Sequence, residues 1–173
     1  NLAVRCARWS LISHKDALGT GNTIEVLANE IGSGQYRIVL HQKSDNGNTG
    51  NVRGNDVKIA GSGPDGKGAI CLGGTGRTDD MLGNVILTGD ATIGQYAGGY
   101  RGIKGSLDLA GFTLTTVGGN YFVFCDNLVV KNMKQIVNNC GVLHSGRIVY
   151  ENCAEDALWI KNGALNIYDY PGS

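Results

Sequence analysis

One glycine-rich segment has nearly the spacing of a phosphate-binding loop. Gly61 to Gly68 reads GSGPDGKG and follows the strand-like stretch Val57-Lys58-Ile59-Ala60. It satisfies G-x-G-x-x-G, but Gly68 stands where a nucleotide-binding loop needs a hydroxyl for Mg²⁺. Such a loop also needs a helix directly after it, and the residues after Gly68 lack helical spacing. A chain with 28 glycines in 173 residues produces such matches by chance, so we expect no nucleotide and no other cofactor.

Two acidic pairs are the candidates for acid–base chemistry. Asp79 and Asp80 are adjacent, with Arg77 just before them, and Glu155-Asp156 is the second pair. Carboxylates about 6.5–9.5 Å apart can hydrolyse a glycosidic bond with inversion. We expect both pairs to be solvated loop charges, because the outward positions of the strands described below do not stack acids. Asp79, Asp80 and Arg77 are catalytic residues only in the alternative, enzymatic hypothesis.

Cysteine and histidine do not form a metal-binding pattern. The cysteines and histidines are Cys6, Cys71, Cys125, Cys140, Cys153, His14, His41 and His144. They are scattered along the chain and include no C-x-x-C pair, so we expect no metal site. A disulfide needs Cα atoms within about 7 Å, which depends on the fold. The simpler interpretation makes Cys125, Cys140 and Cys153 small buried apolar residues.

Aromatic side chains in the second half of the chain are the third candidate for a site. Where they are exposed they could stack on sugar rings, although strand alternation must bury some of them. The candidates are Tyr96, Tyr100, Tyr121, Phe122, Phe124, Tyr150, Trp159, Tyr168 and Tyr170.

The elements that would position these groups are short strands in a recurring pentapeptide: apolar, any, apolar, any, then Gly or Asn. Its copies are Val57–Gly61, Val85–Gly89, Leu107–Gly111, Leu128–Asn132 and Ile148–Asn152. Alternation places one strand face in a core, and Gly or Asn readily takes a positive φ at a sharp bend. From the second copy onward the pentapeptide recurs at a nearly constant interval. One strand in each period of about twenty predicts a solenoid.

Equivalent pentapeptides should stack on successive coils. We therefore expect three groupings: Leu109, Val130 and Tyr150 in the core; Lys131 beside Glu151 on the outer face; and Gly111, Asn132 and Asn152 in one positive-φ bend, with Asn side chains bonding along the stack.

The N-terminal segment 1–34 lacks the pentapeptide. Ile24, Leu27 and Ile31 have helical spacing, with Asn22-Thr23 as an N-cap, which predicts a short helix that caps the first coil. Alternation in Thr23–Val26 predicts a strand equally well. We divide the single domain into a cap region, 1–34, and β-helix coils, 35–173.

Composition excludes some functions. Lys plus Arg equals Asp plus Glu at 15 each, which argues against a basic nucleic-acid-binding face. No stretch reaches the roughly 18 apolar residues of a membrane-spanning helix. No signal peptide is visible, and the strand pattern runs almost to the last residue, so we expect a piece of a longer protein.

Residues 84–119 resemble the repeats of bacterial surface and autotransporter-type passenger proteins. The similarity is carried by LTGDATI, residues 87–93, and SLDLAGFTLT, residues 106–115. Ala110 and Phe112 depart from the usual Asn and His. The resemblance implies an all-β, right-handed parallel β-helix like that of the pectate-lyase-like group. Its coils would then repeat about every 20–22 residues, a length typical of solenoids.

These observations favour a non-catalytic β-helix segment of a bacterial surface or secreted protein, serving as a stalk or an adhesive, carbohydrate-contacting surface. We expect it to be extracellular or on the cell surface, with a polysaccharide or a host or cell-surface ligand as partner. The alternative is a polysaccharide lyase or glycoside hydrolase of β-helix type.

Overall fold

The computed structural model describes residues 2–4, 10–12, 21–26, 38–42, 55–63, 66–74, 81–95, 101–161 and 164–168. These residues form fourteen strands and no α-helix. In chain order the strands are β1 (Leu2–Val4), β2 (Ser10–Ile12), β3 (Thr23–Val26), β4 (Ile38–Gln42), β5 (Asp56–Gly61), β6 (Ile70–Gly74), β7 (Met81–Gln95), β8 (Arg101–Asp108), β9 (Thr113–Phe124), β10 (Leu128–Lys131), β11 (Gln135–Ser145), β12 (Ile148–Glu151), β13 (Leu158–Ile160) and β14 (Leu165–Tyr168).

The strands pair in parallel and stack as a β-solenoid, as the pentapeptide predicts. Val85 lies opposite Leu107, Leu107 opposite Val130, and Val130 opposite Tyr150. Each of these pairings closes one turn of the solenoid between Val85 and Tyr150. Parallel pairing at a nearly constant period requires each coil to return to the same place above its predecessor.

Three stacks of strands form the faces of the solenoid. Face one contains β1, β3, β5, the middle of β7, the end of β8, β10 and β12. Face two contains β2, β4, β6, the end of β7 and the starts of β9 and β11, then β13. Face three contains the starts of β7 and β8, the ends of β9 and β11, and β14.

Alternation decides which side chains reach the core. In β10, Leu128 and Val130 are fully buried, Val129 is half-buried and Lys131 is exposed. The same inward positions hold buried Val85 and Leu107 in the coils below. The core is therefore a set of apolar columns that run along the solenoid axis, one for each inward strand position.

The N-terminal strands belong to the same stack. Thr23–Val26 is a strand that pairs with β1 on one side and β5 on the other, and Ile24 and Val26 are buried. The hypothesis of a helix that starts at Asn22-Thr23 is therefore wrong for these residues, because cross-strand pairing on both edges outweighs helical spacing. Leu27 and Ile31 lie outside the described residues. Because β1 and β3 fall within residues 1–34, that segment contributes strands to the solenoid. The boundary at residue 35 between the cap region and the coils stays a prediction.

In the predicted core column of Leu109, Val130 and Tyr150, Leu109 is fully buried as expected, but its register with Val130 is wrong. Leu107, not Leu109, lies opposite Val130, while Leu109 donates its N–H to the Lys131 carbonyl at 2.9 Å. The cause is Asp108, whose Oδ1 accepts the Ala110 N–H at 2.9 Å and begins the bend before the pentapeptide ends. An Asp side chain that bonds to the backbone two residues later forms such a turn.

The bend itself has the predicted backbone. Gly111, Asn132 and Asn152 have φ values of 83°, 50° and 53°. Asn152 Nδ2 donates to Asn132 Oδ1 at 2.8 Å, and Asn132 Nδ2 donates to Asp108 Oδ1 at 2.9 Å. These bonds form a polar ladder, Asp108–Asn132–Asn152, along the corner between faces one and two, which confirms the expected Asn bonding between coils.

Candidate functional site

The glycine-rich segment after β5 is a turn between strands. The Gly68 N–H donates to the Ser62 carbonyl at 2.7 Å, and the Gly66 N–H donates to the Gly63 carbonyl at 3.2 Å. The next described element is strand β6, not a helix. This backbone bonds to itself and lacks the helix N-terminus that a bound phosphate requires.

The acidic candidates for catalysis are not brought together within the described residues. Asp79, Asp80 and Arg77, which are candidates only in the enzymatic alternative, lie outside them, so that alternative is not tested at these residues. Glu155 and Asp156 are exposed in the turn between β12 and β13, as expected of solvated charges. In the described ranges, no group of three or more His, Cys, Asp or Glu side chains could hold a metal ion.

Charged side chains on the outer surface of face one alternate in sign. Register places these outward residues in one column: Lys58, Ile86, Asp108, Lys131 and Glu151. Lys131 Nζ lies 3.5 Å from Glu151 Oε2, which confirms the predicted pairing of these two side chains. In the column, Lys131 also stands between Glu151 and Asp108. The column thus pairs opposite charges, and between Lys58 and Glu151 no two neighbouring coils both carry a carboxylate in it.

A shallow groove of about 490 Å³ runs beside the polar ladder. It is lined by Ala110, Gly111, Asn132, Met133, Lys134 and Asn152. The lining supplies amides and one ammonium but no carboxylate, and Asn132 is already bonded to both neighbouring coils. This groove can offer hydrogen bonds to a ligand, but it holds no group suited to proton abstraction.

Trp159 is an exposed aromatic side chain on face two. It is 48% exposed and points outward, in register with Val137, which lies in register with Thr115. Lys161 Nζ lies 5.6 Å from the centre of the indole ring, within the range of a cation–π contact. We call Thr115, Val137, Trp159 and Lys161 the Trp159 platform.

The other aromatic candidates divide between core, surface and undescribed positions. Phe122 and Phe124 are buried, with ring centres 5.4 Å apart in an edge-to-face arrangement. Tyr121 is half-buried. Tyr96, Tyr100, Tyr170 and the side chain of Tyr168 lie outside the description.

Tyr150 corrects a prediction. It holds the inward position above Val130, yet it is 43% exposed, because β12 is the last described strand of face one and no described coil covers it. Partial burial raises the pKa of its phenol, and the nearby Cys153 thiol adds to this effect. The inward position was predictable, whereas the exposure follows from the lack of a described strand above β12.

The described cysteines form no disulfide: Cys71, Cys125, Cys140 and Cys153. Cys71 and Cys140 are buried, whereas Cys125 and Cys153 are half-buried. The expectation of core cysteines therefore holds for Cys140 and only in part for the other two. Burial raises the pKa of the Cys140 thiol, so it is neutral near pH 7. Cys6 lies outside the described residues.

Comparison with known proteins does not assign the chain to a family. It matches no protein-family model, no curated protein and no solved structure. Within the described residues, no helix has the length and apolar character needed to cross a bilayer.

Proposed function

We propose that this chain is a non-catalytic β-solenoid segment of a bacterial surface or secreted protein, and that it contacts carbohydrate through the Trp159 platform. The location rests on the similarity of residues 84–119 to passenger repeats. The binding role rests on one observation, the exposed indole of Trp159 above the shorter side chains of Val137 and Thr115.

The shape of the platform suits a sugar ring. Thr115 and Val137, in the two coils below Trp159, are short side chains, so the indole projects above a low, flat column. The C–H groups on one face of a pyranose carry partial positive charge and meet the negative face of an aromatic ring. An indole provides the largest such face among the side chains.

Lys161 supplies a polar group beside the ring. Its ammonium has no carboxylate partner within 4.0 Å among the residues that the structure describes, and it lies over the indole. An ammonium has three hydrogen-bond donors and can contact sugar hydroxyls at the edge of a stacked ring. Apolar stacking and polar donors together are the usual composition of a small-ligand site.

A single platform implies weak binding. One ring contacting one sugar buries little area, so we expect a Kd of about 1 mM or weaker for an isolated site. Strong attachment to a polymer would need several sites acting together. This weak, repeated contact suits a stalk or adhesive surface.

Affinity electrophoresis tests the proposal with hydroxyethylcellulose, dextran, pectin and alginate in the gel. We expect at least one polysaccharide to retard the chain, Trp159→Ala to abolish the retardation, and Trp159→Phe to keep part of it. Tyr150→Ala is the matched control, since Tyr150 is similarly exposed but lies on face one. Retardation by none of the four polymers, or its loss in Tyr150→Ala but not in Trp159→Ala, would contradict the proposal.

A further inference from the structure

A group of polar side chains lies inside the core of face two. The inward column there runs through Ile70, Ile93, Thr116, Asn138 and Ile160. Thr116 and Asn138 are fully buried, although the same column holds isoleucine in the coils below. Buried polar groups in an apolar column require hydrogen-bond partners.

Part of this requirement is met within the group. The Thr116 hydroxyl donates to Asn138 Oδ1 at 2.7 Å, and Thr116 Oγ1 lies 3.3 Å from Cys140 Sγ. The backbone of Phe122 also forms a hydrogen bond with the Cys140 sulfur. With the hydroxyl proton committed to Asn138, the neutral thiol is the donor toward Thr116.

The chain of bonds ends at the Asn138 amide nitrogen. Asn138 Nδ2 carries two N–H donors and has no hydrogen-bond partner among the described residues. Reversing the amide does not remove the problem, because Nδ2 would then donate to Thr116 and the oxygen would be left in its place. In either orientation one buried amide atom needs a partner that the described side chains do not supply.

The strand ladder is interrupted next to this amide. Asn139 lies opposite Val117 and Gly141 lies opposite Tyr121, so Cys140 alone faces the segment 118–120. Such an irregularity withdraws backbone groups from the ladder and separates the coils locally. The unpartnered amide atom thus lies beside backbone that is not in regular pairing.

We propose that Asn138 binds one ordered water molecule inside the solenoid, beside Thr116 and Cys140. Water fits both amide orientations, since it accepts from Nδ2 or donates to the oxygen. Internal waters typically make about three hydrogen bonds to otherwise unsatisfied buried groups. The Cys140 sulfur, which lies next to Thr116 in the same group, is a further partner for such a water.

Water-selective NOESY and ROESY spectra of the ¹⁵N-labelled chain test the site without any mutation. We expect cross-peaks between water and the Asn138 side-chain amide, with the negative NOE of a long-lived contact. Asn139, whose half-buried side chain lies on the outer surface, is the internal control and should show only short-lived contact with bulk water. An observable Asn138 amide with no water cross-peak in either spectrum would overturn the proposal.

A second comparison removes the main ambiguity, which is relay of magnetisation through the exchanging Thr116 hydroxyl. The sign in the ROESY spectrum separates a dipolar contact from direct exchange of the amide protons with water, but relay through the hydroxyl and a bound water have the same sign, so the hydroxyl itself must be removed. In Thr116→Val the cross-peak should persist if water binds Asn138 directly. Loss of the peak in a folded Thr116→Val chain would show that the wild-type peak is relayed through the hydroxyl, and it would overturn the proposal.

Discussion

Asn132 is the residue whose replacement most sharply tests the stacked bends. It combines a left-handed backbone, φ 50°, with side-chain bonds to both Asp108 and Asn152. A β-branched residue in that region costs about 1–2 kcal/mol. Each lost hydrogen bond removes about 0.5–1.5 kcal/mol, at the lower end here because the side chain is half-buried. Asn132→Val should therefore lower the free energy of unfolding by about 2–4 kcal/mol.

Asn132→Gly separates the two contributions. Glycine keeps the bend and loses only the side-chain bonds, so it should cost about 1–2 kcal/mol. Asn139→Val is the matched control, because Asn139 is half-buried but lies in a strand, where valine is favourable. Urea unfolding followed by circular dichroism, compared at equal m-value, measures all three variants. Equal destabilisation by Val and Gly would refute the argument that the left-handed bend selects Asn.

Three further predictions follow from the same structure. Purified chain should not shorten pectin or alginate, with or without Ca²⁺; chain shortening that is abolished by Asp79→Ala or Asp80→Ala would favour the enzymatic alternative. Because burial raises the pKa of Cys140 above its ordinary 9.0, its stabilising contribution is complete below pH 9 and is lost as pH rises further. Cys140→Ala should therefore flatten the decline of stability above pH 9, and an unchanged slope would contradict the buried thiol. A Cβ on Gly102 would overlap the backbone of Val123 in the next coil, so Gly102→Ala should destabilise strongly, whereas Gly111→Ala, where a Cβ meets open space, should cost only the strain of its positive φ. Similar thermal unfolding midpoints for these two variants would argue against such close packing of the coils.

Local chemistry made much of the fold predictable. Alternating apolar residues ending in Gly or Asn identified strands on face one, and the pairings Ile59–Leu87 and Val130–Tyr150 have the predicted register. The pattern failed at Leu109, because it treated Asp108 as an unconstrained position. The Asp108 carboxylate accepts a hydrogen bond from the Ala110 N–H, so the bend begins two residues earlier than the pentapeptide predicts. The tendency of Asp to form such a turn could have been noticed in the sequence, but counting pentapeptides alone does not include it.

The candidate site was less predictable. Trp159 was one of many aromatic residues, and only the register with Val137 and Thr115 shows that it stands above two shorter side chains. Alternation with the apolar residues Leu158 and Ile160 predicts that the Trp159 side chain points outward. Its exposure, however, depends on neighbouring side chains that are remote in sequence. The buried amide of Asn138 was also hidden, since its column becomes visible only once the strands of face two are stacked.

The measurement that tests this account most directly is the set of interstrand backbone NOEs across face two. Parallel stacking in register predicts contacts of Val137 with Thr115 on one side and with Trp159 on the other. These contacts would establish both the solenoid and the column from which Trp159 projects. An antiparallel NOE pattern, or contacts that pair Val137 with residues of neither strand, would contradict the fold and the proposed carbohydrate-contacting platform together.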